Sequence, residues 1–394
     1  MSSPAPVIVI GLDCITGLQT ARILAARGVP VIGIAKDMEH FSCRTRVCER
    51  IVQADLGTPA LIPVLLELAS SLETRAVLCP CTDAAVLVLS SHREKLEQDY
   101  LLALPEADVV EMLIDKVRFI EFAGKHDLAI PQTFLLRDQS DAERAARELS
   151  FPCVVKPPMK SARWLQHTKA KAYKVEDARE FLELYERCQD WAELLMAQQW
   201  VAGGEGNLFS CNCYYSTEGK SLATFIARKI RQWPPQTGTS CLGEEVRNDE
   251  VLKETLALFD RVGYRGLGYV EIKRDENSGR HYIIEPNIGR PTGRSAIAEA
   301  GGVELLYTMY CDLTGLPLPE KREQHYGSVK WIYWRNDLRS AWHYWRKGEV
   351  TLSQVLQSWR GRKACAVFSW SDPMPFIADF GRSFLQAVRG NQTT

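Results

Sequence analysis

An α/β protein of more than one domain is what this sequence predicts, and three observations predict it. Residues 7–110 alternate short, continuous apolar runs with helical patterns, as a parallel sheet covered on both faces requires. The length of 394 residues exceeds a single domain at roughly 150 residues each. Residues 269–293 read as two strands joined by a polar turn, with Glu271 on the first and Glu285 and Asn287 at the end of the second. Three oxygen-bearing side chains on one hairpin are the hard donors that hold Mg²⁺ against nucleotide phosphates.

Bulk properties exclude more than they select. Hydrophobic residues make up 46% and charged residues 25%, and the formal net charge of -1 gives no global pull toward nucleic acid or membrane. Several of the twelve cysteines fall in apolar runs, such as Cys79 and Cys81, Cys153, and Cys211 and Cys213. They read as small buried side chains of a reducing compartment, and the spacing offers no zinc motif. MSSPAP has no positive n-region, and no apolar run approaches the ~18 residues of a membrane span, so a cytoplasmic protein is expected.

In chain order, VIVIGL, VPVIGIA, IVQAD and AVLCPC are the strands of a Rossmann-like domain, with helices over 17–28, 58–72 and 83–98 between and after them. The first turn has Gly11 and Gly17 but Asp13 where a dinucleotide fingerprint needs its middle glycine, which argues against a dinucleotide site. Asp83 starts a helix at the carboxyl ends of the strands. It is either a pocket residue or a carboxylate favoured there by the helix dipole.

From 111 to 149 the pattern is helical. Lys116 lies in the first stretch, and Ser140 with Glu143 suggests a capping box for the next helix. FPCVVKPP is a strand carrying Lys156, a lysine that in an apolar setting needs an anionic partner. The basic, irregular run after it, with Ser161, Arg163 and Lys169, reads as a loop covering phosphates or as a surface hairpin. LLMAQQWV is a further strand, and AGGEGN places Glu205 on a glycine turn. Lys229 and Arg231 alternate on one strand face, either toward a site or toward solvent; a helix over 249–261 then leads to the opening hairpin.

The ordered set Lys116, Lys156, Glu205, Glu271, Glu285 and Asn287 behind a Rossmann-like domain resembles the ATP-grasp superfamily, and within it the predicted carboxylate-amine ligases related to D-aspartate ligase. The resemblance covers residues 7 to about 318 and implies an α+β ATP-grasp part, with boundaries at 1–110, 111–195, 196–318 and 319–394. It implies that Lys116 and Lys156 contact ATP, that Gln198, Gln199, Trp200 and Val201 form the strand whose backbone pairs with adenine, and that Glu205 holds the ribose. Glu271, Glu285 and Asn287 would bind two Mg²⁺ ions, with Mn²⁺ as a substitute. Arg290 would lie beside the transferred phosphate, although the family pattern Glu-x-Asn-Pro-Arg is here Glu-x-Asn-Ile-Gly-Arg, which makes Arg294 a rival. The loop after Lys156 also lacks the glycine-rich sequence with which many relatives cover the phosphates, and Ser161, Arg163 and Lys169 would substitute by side chain.

The implied reaction joins a small-molecule carboxylate to an amine through an acyl phosphate, with Arg290, Arg294, Lys229 and Arg231 as catalytic candidates. An ATP-dependent carboxylase and a nucleotide-binding protein without turnover are the alternatives. No nucleic-acid partner is expected.

Composition changes after residue 318. Residues 320–394 hold six of the ten tryptophans and twelve Lys or Arg against six Asp or Glu. Leu338, Ala341, Trp342 and Trp345 recur at helical spacing with Arg339, Arg346 and Lys347 off the stripe, predicting an amphipathic helix. The favoured reading packs its tryptophans on the rest of the chain or across a homodimer. Contact with a membrane surface is the competing one.

Overall fold

The first strand is built from VIVI with no polar interruption, and β1 (Val7–Ile10) is accordingly buried along its whole length in a computed structural model that describes residues 4–159, 161–235 and 238–381. With β2 (Val31–Ala35), β3 (Arg50–Gln53), β4 (Ala76–Pro80) and β5 (Tyr100–Leu101) it forms a parallel sheet in the order β3-β2-β1-β4-β5. The β2 and β4 strands are also fully buried, whereas β3, at the edge, is half-exposed. At the first turn Gly11 has φ +104°, and a Cβ on Gly17 would lie 2.1 Å from the Gly11 carbonyl, so the helix Ile15–Ala25 closes onto the turn only through glycine. Asp13 takes the backbone N–H groups of Lys36 and Asp37 at the end of β2. Its carboxylate thus fills the crevice where a dinucleotide fingerprint would bring bare backbone to a pyrophosphate.

Next come β6 (Thr133–Leu136), β7 (Cys153–Lys156), β8 (Tyr173–Val175) and β9 (Leu195–Gln199), an antiparallel sheet in the order β6-β9-β7-β8. The helices Gln139–Glu148 and Ala178–Cys188 present Ala142, Ala145, Phe181, Leu184 and Tyr185 to a core shared with Cys153, Val155 and Ala197. Asp138 caps the first of these helices by accepting the Asp141 N–H, while Ser140 donates its hydroxyl to the same carboxylate. The Ser140 and Glu143 capping box read from the sequence is therefore two residues late, because the earlier Asp is the stronger acceptor for the free N–H groups.

The remaining strands are β10 (Leu208–Tyr215), β11 (Ser221–Trp233), β12 (Thr239–Glu245), β13 (Gly266–Arg274), β14 (His281–Ile288), β15 (Lys330–Ile332) and β16 (Lys363–Cys365), ordered β14-β13-β10-β11-β12-β15-β16. The helix Asp249–Arg261 falls where its apolar spacing predicts it. Two compact units emerge: one comprises Met1–Val110, Ser210–Tyr269 and Asn287–Thr394, the other Glu111–Phe209 and Val270–Pro286. These units regroup the linear boundaries expected from sequence.

The carboxyl-terminal extension, described as far as residue 381, is not a separate appendage. Its strands β15 and β16 continue the seven-stranded sheet, and Trp331, Ala366 and Val367 share a core with Val7, Leu18 and Phe225. Asp372, with no exposed surface, accepts from Arg22 Nε at 2.9 Å and from the Arg46 N–H at 3.1 Å. Residues 382–394 of the extension lie outside the described residues. Among the described residues no helix is long and apolar enough to cross a membrane.

Candidate active site

In the second unit the sheet brings two lysines and a carboxylate together. Lys156, the last residue of β7, donates to Gln198 Oε1 at 3.1 Å, and Gln198 in turn donates to the Thr133 hydroxyl. Lys116 opens the helix Lys116–Lys125, where Asp115 as N-cap accepts the N–H groups of Val117 and Arg118, and its ammonium lies 3.9 Å from Glu285. Burial, then the positive charge of Lys116, holds the Lys156 pKa below the ordinary lysine range, with Glu285 pulling the other way. The sequence could name both lysines but could not show that both feel the charge of Glu285.

The stretch 198–201 is half strand. β9 ends at Gln199, and the N–H groups of Gln199 and Trp200 go to the carbonyls of Gln132 and Pro152. Those two donors are thus engaged within the sheet and its flank. The Trp200 ring has Lys174 and Lys273 above it at 5.3 and 4.8 Å. Glu205 begins a short 3-10 turn, Glu205–Asn207. The loop before it is fixed by Asp275, which accepts the Ala202 N–H at 2.9 Å and the N–H groups of Asn277 and Ser278. Burial of Asp275 works against its charge, but these bonds outweigh it and hold the carboxyl below its usual range. Sequence reasoning missed Asp275, whose signal is the Asp-x-x-Ser of a turn between strands.

The expected phosphate-covering loop is different. Residues 162–167 form a short helix, Ala162–His167, with Ser161 as N-cap accepting the Trp164 N–H. Trp164 is fully buried, with Trp191 5.8 Å away edge-on and its indole N–H on the Ala170 carbonyl. One buried tryptophan orders what composition reads as irregular, and it leaves Arg163 exposed and Lys169 at least partly so.

In the first unit Arg290 is the centre. It donates through Nε and Nη2 to both oxygens of Asp83 at 2.5 and 3.2 Å, through Nη1 to the Tyr269 hydroxyl at 3.0 Å, and through Nη2 to Asn287 Oδ1 at 2.7 Å. Burial disfavours its charge, yet the Tyr269 hydroxyl and Asp83 more than compensate and raise its pKa. Two candidates 207 positions apart in sequence are thereby joined. Thr82 caps the helix Asp83–Ser91, and Asp83, in its first turn, turns its carboxylate to the arginine. Arg294 is buried and donates to Ser210 at 3.0 Å.

Lys229 and Arg231 are both buried on β11, and the pairing of that strand with β12 shifts register between them. Arg231 is buried, pairs with both oxygens of Asp337 at 2.8 Å, and donates to Ser358. Three of its N–H groups thus go to Asp337 and Ser358 in the carboxyl-terminal extension. Lys229 is buried in β11.

The oxygen donors read from the sequence as metal ligands lie on β13 and β14. Glu271 on β13 and Glu285 on β14 are half-buried, and the two strands are neighbours in the sheet; Asn287 follows two residues along β14. The Asn287 amide oxygen already faces a positive group, Arg290, while its buried Nδ2 has no hydrogen-bond partner. Among the described residues no cluster of three or more His, Cys, Asp or Glu forms a metal site. Two carboxylates and an amide oxygen suit Mg²⁺, which keeps several waters and shares phosphate oxygens, rather than an all-protein cage.

No family model matches the sequence. The chain is similar to D-aspartate ligase of Enterococcus faecium, 23% identical over 252 residues that cover 60% of this chain and 59% of the relative. Its structure is similar to that of N5-carboxyaminoimidazole synthetase from Staphylococcus aureus complexed with ADP, with a TM-score of 0.64 at 15% identity over 82% of this chain and 81% of the other. The chain has the ATP-grasp fold. The L-amino acid ligase from Bacillus licheniformis superposes with a TM-score of 0.60 at 16% identity, covering 84% of this chain and 79% of that one. The match to D-aspartate ligase spans less than two thirds of that relative's length.

Within this ATP-grasp chain, the structure gathers Lys116, Lys156, Gln198 and Glu285 in one unit and Asp83, Asn287 and Arg290 in the other. Tyr269 joins the second group without having been singled out. Its signal was a tyrosine opening an apolar strand, which reads equally well as core.

Proposed function

We propose that this chain is an ATP-dependent carboxylate-amine ligase. The observation that carries the reading is the convergence of Lys116, Lys156 and Glu285, two cations and a metal-type carboxylate, within an ATP-grasp fold. Phosphoryl transfer asks for positioning and charge neutralisation more than covalent chemistry, and this is what such a set supplies.

Lys116 and Lys156 bind the ATP phosphates, Val201 and its neighbours face adenine, and Glu205 takes the ribose hydroxyls. Glu271, Glu285 and Asn287 hold Mg²⁺, two ions in our reading, with Mn²⁺ as a substitute; when bound, the metal neutralises charge on the phosphoryl oxygens. A substrate carboxylate oxygen attacks the γ-phosphorus as the bond to the bridging oxygen breaks and ADP leaves. An amine then attacks the acyl carbon, the tetrahedral oxyanion collapses, and phosphate departs with the amide formed. Arg290, charged and fixed at Asp83 and Tyr269, orients toward the acyl phosphate and the oxyanion. The amine proton passes to phosphate or solvent. We place the protein in the cytoplasm.

ADP release across a matrix of amino acids and small carboxylates with Mg²⁺ tests the proposal, with Glu285→Ala as control. At least one pair is expected to release ADP well above the control. If none does while ATP still binds, the nucleotide-binding reading without turnover replaces this one.

A further inference from the structure

The helix Trp334–Arg346 is turned opposite to what its sequence pattern demands. Its buried residues are Asp337, Ser340 and Ala341, whereas Leu338, Trp342 and Trp345, the rest of the predicted core stripe, are 47%, 58% and 44% exposed. Polar bonds fix that orientation: Arg231 grips Asp337 with two hydrogen bonds, the Trp359 indole N–H donates to the same carboxylate, and the Ser340 hydroxyl donates to the Gln232 carbonyl. The Trp342 and Trp345 rings lie 5.0 Å apart on the outer side. The following helix, Leu352–Ser358, repeats the arrangement, burying Val355 and leaving Leu352 and Leu356 61% and 52% exposed.

We propose that this outward face docks on an anionic lipid surface. Charge chooses this occupant. At about 100° per residue, Arg339 and Arg346 flank one edge of the Leu338, Trp342 and Trp345 stripe, and both are exposed. Between residues 334 and 363 there are seven Lys or Arg against two acidic residues, and one of those, Asp337, is buried against Arg231. An apolar stripe with tryptophans, edged by arginines and poor in exposed acid, is the composition of a helix lying in a headgroup region. A second copy of the chain would bring the same basic edge against itself. The surface does not depend on the ligase reading, because none of its residues belongs to the proposed nucleotide site.

Flotation of the full chain with vesicles of equal phosphatidylglycerol and phosphatidylcholine, against pure phosphatidylcholine, tests this. The protein is expected to float with the anionic vesicles, weakly with the neutral ones, and less as salt rises. Trp342→Ser with Trp345→Ser should abolish flotation, and Arg339→Glu with Arg346→Glu should lower partitioning at least about tenfold. Both variants alter exposed side chains and should keep the wild-type melting temperature, which separates lost docking from lost fold. The proposal is overturned if wild type stays at the bottom with anionic vesicles or if the double tryptophan variant floats as well. A dimer in sedimentation that the tryptophan changes dissolve, with no flotation, would assign the face to a second copy instead.

Discussion

The two cationic centres of this chain are held in opposite electrostatic states. Lys156 sits where burial and Lys116 push its pKa down, with a carboxylate, Glu285, 3.9 Å from the Lys116 ammonium. Arg290 sits where Tyr269 and Asp83 push its pKa up, with Nε, Nη1 and Nη2 already engaged at 2.5 to 3.2 Å. The first centre sets two lysines against Glu285, and in the proposed site an arriving polyphosphate would supply the remaining negative charge. The second is already paired with Asp83, and in the proposed reaction it would contribute geometry: a guanidinium held ready, so that little reorganisation is needed when charge develops nearby.

Replacing the fixed cation should have the largest effect. Arg290→Lys keeps the charge but loses the fork that engages Asp83, Tyr269 and Asn287 together. We expect kcat to fall on the order of 10²-fold, about 3 kcal/mol, with the KM for ATP little changed. A raised KM for ATP with kcat unchanged would show that Arg290 merely binds nucleotide and would erase the contrast.

The less neutralised cation should behave the other way. Lys156→Met is expected to raise the KM for ATP about 30-fold, roughly 2 kcal/mol for a charge-assisted bond, with a smaller change in kcat. Its pH profile sharpens the point. A lysine whose pKa is lowered loses its proton, and its hold on phosphate, at a lower pH than an ordinary lysine as pH rises. Apparent ATP affinity should therefore decline on the alkaline side below the usual lysine range, and Lys156→Arg should move that decline upward. An alkaline limb identical in the two proteins would remove Lys156 from the phosphate site.

Asp83→Asn should give the smallest change. It retains hydrogen-bonding capacity but removes the charge opposite Arg290, so a fall in kcat of about fivefold is expected. Because Asp83 acts through the arginine, the Arg290→Lys and Asp83→Asn losses should fail to add in the double variant. Full additivity would mean that Asp83 has a separate job.

Much of the candidate site could be proposed from the sequence because it is written locally. Glu271, Glu285 and Asn287 lie on one hairpin, and Lys156 ends a strand whose apolar run announces it. Other features could not. The run after Lys156 is short in periodicity, and its helix exists because Trp164 finds a pocket lined by Trp191 and Tyr173. The register shift between Lys229 and Arg231 on β11 is another, since a period-two pattern carries no sign of an irregular pairing.

The sequence by itself determined the parallel sheet, through continuous apolar strands that tolerate burial on both faces, and the order of nucleotide-type residues along the chain. It also determined that residues around 334–346 form an amphipathic helix. The tertiary structure decided which face of that helix turns inward and which carboxylate Arg290 meets. The physical reason is the same in both cases. Periodicity fixes where side chains stand on their own element, but a buried arginine must find a carboxylate wherever the fold brings one. Arg231 found Asp337 and turned the tryptophans out; Arg290 found Asp83 across 207 residues.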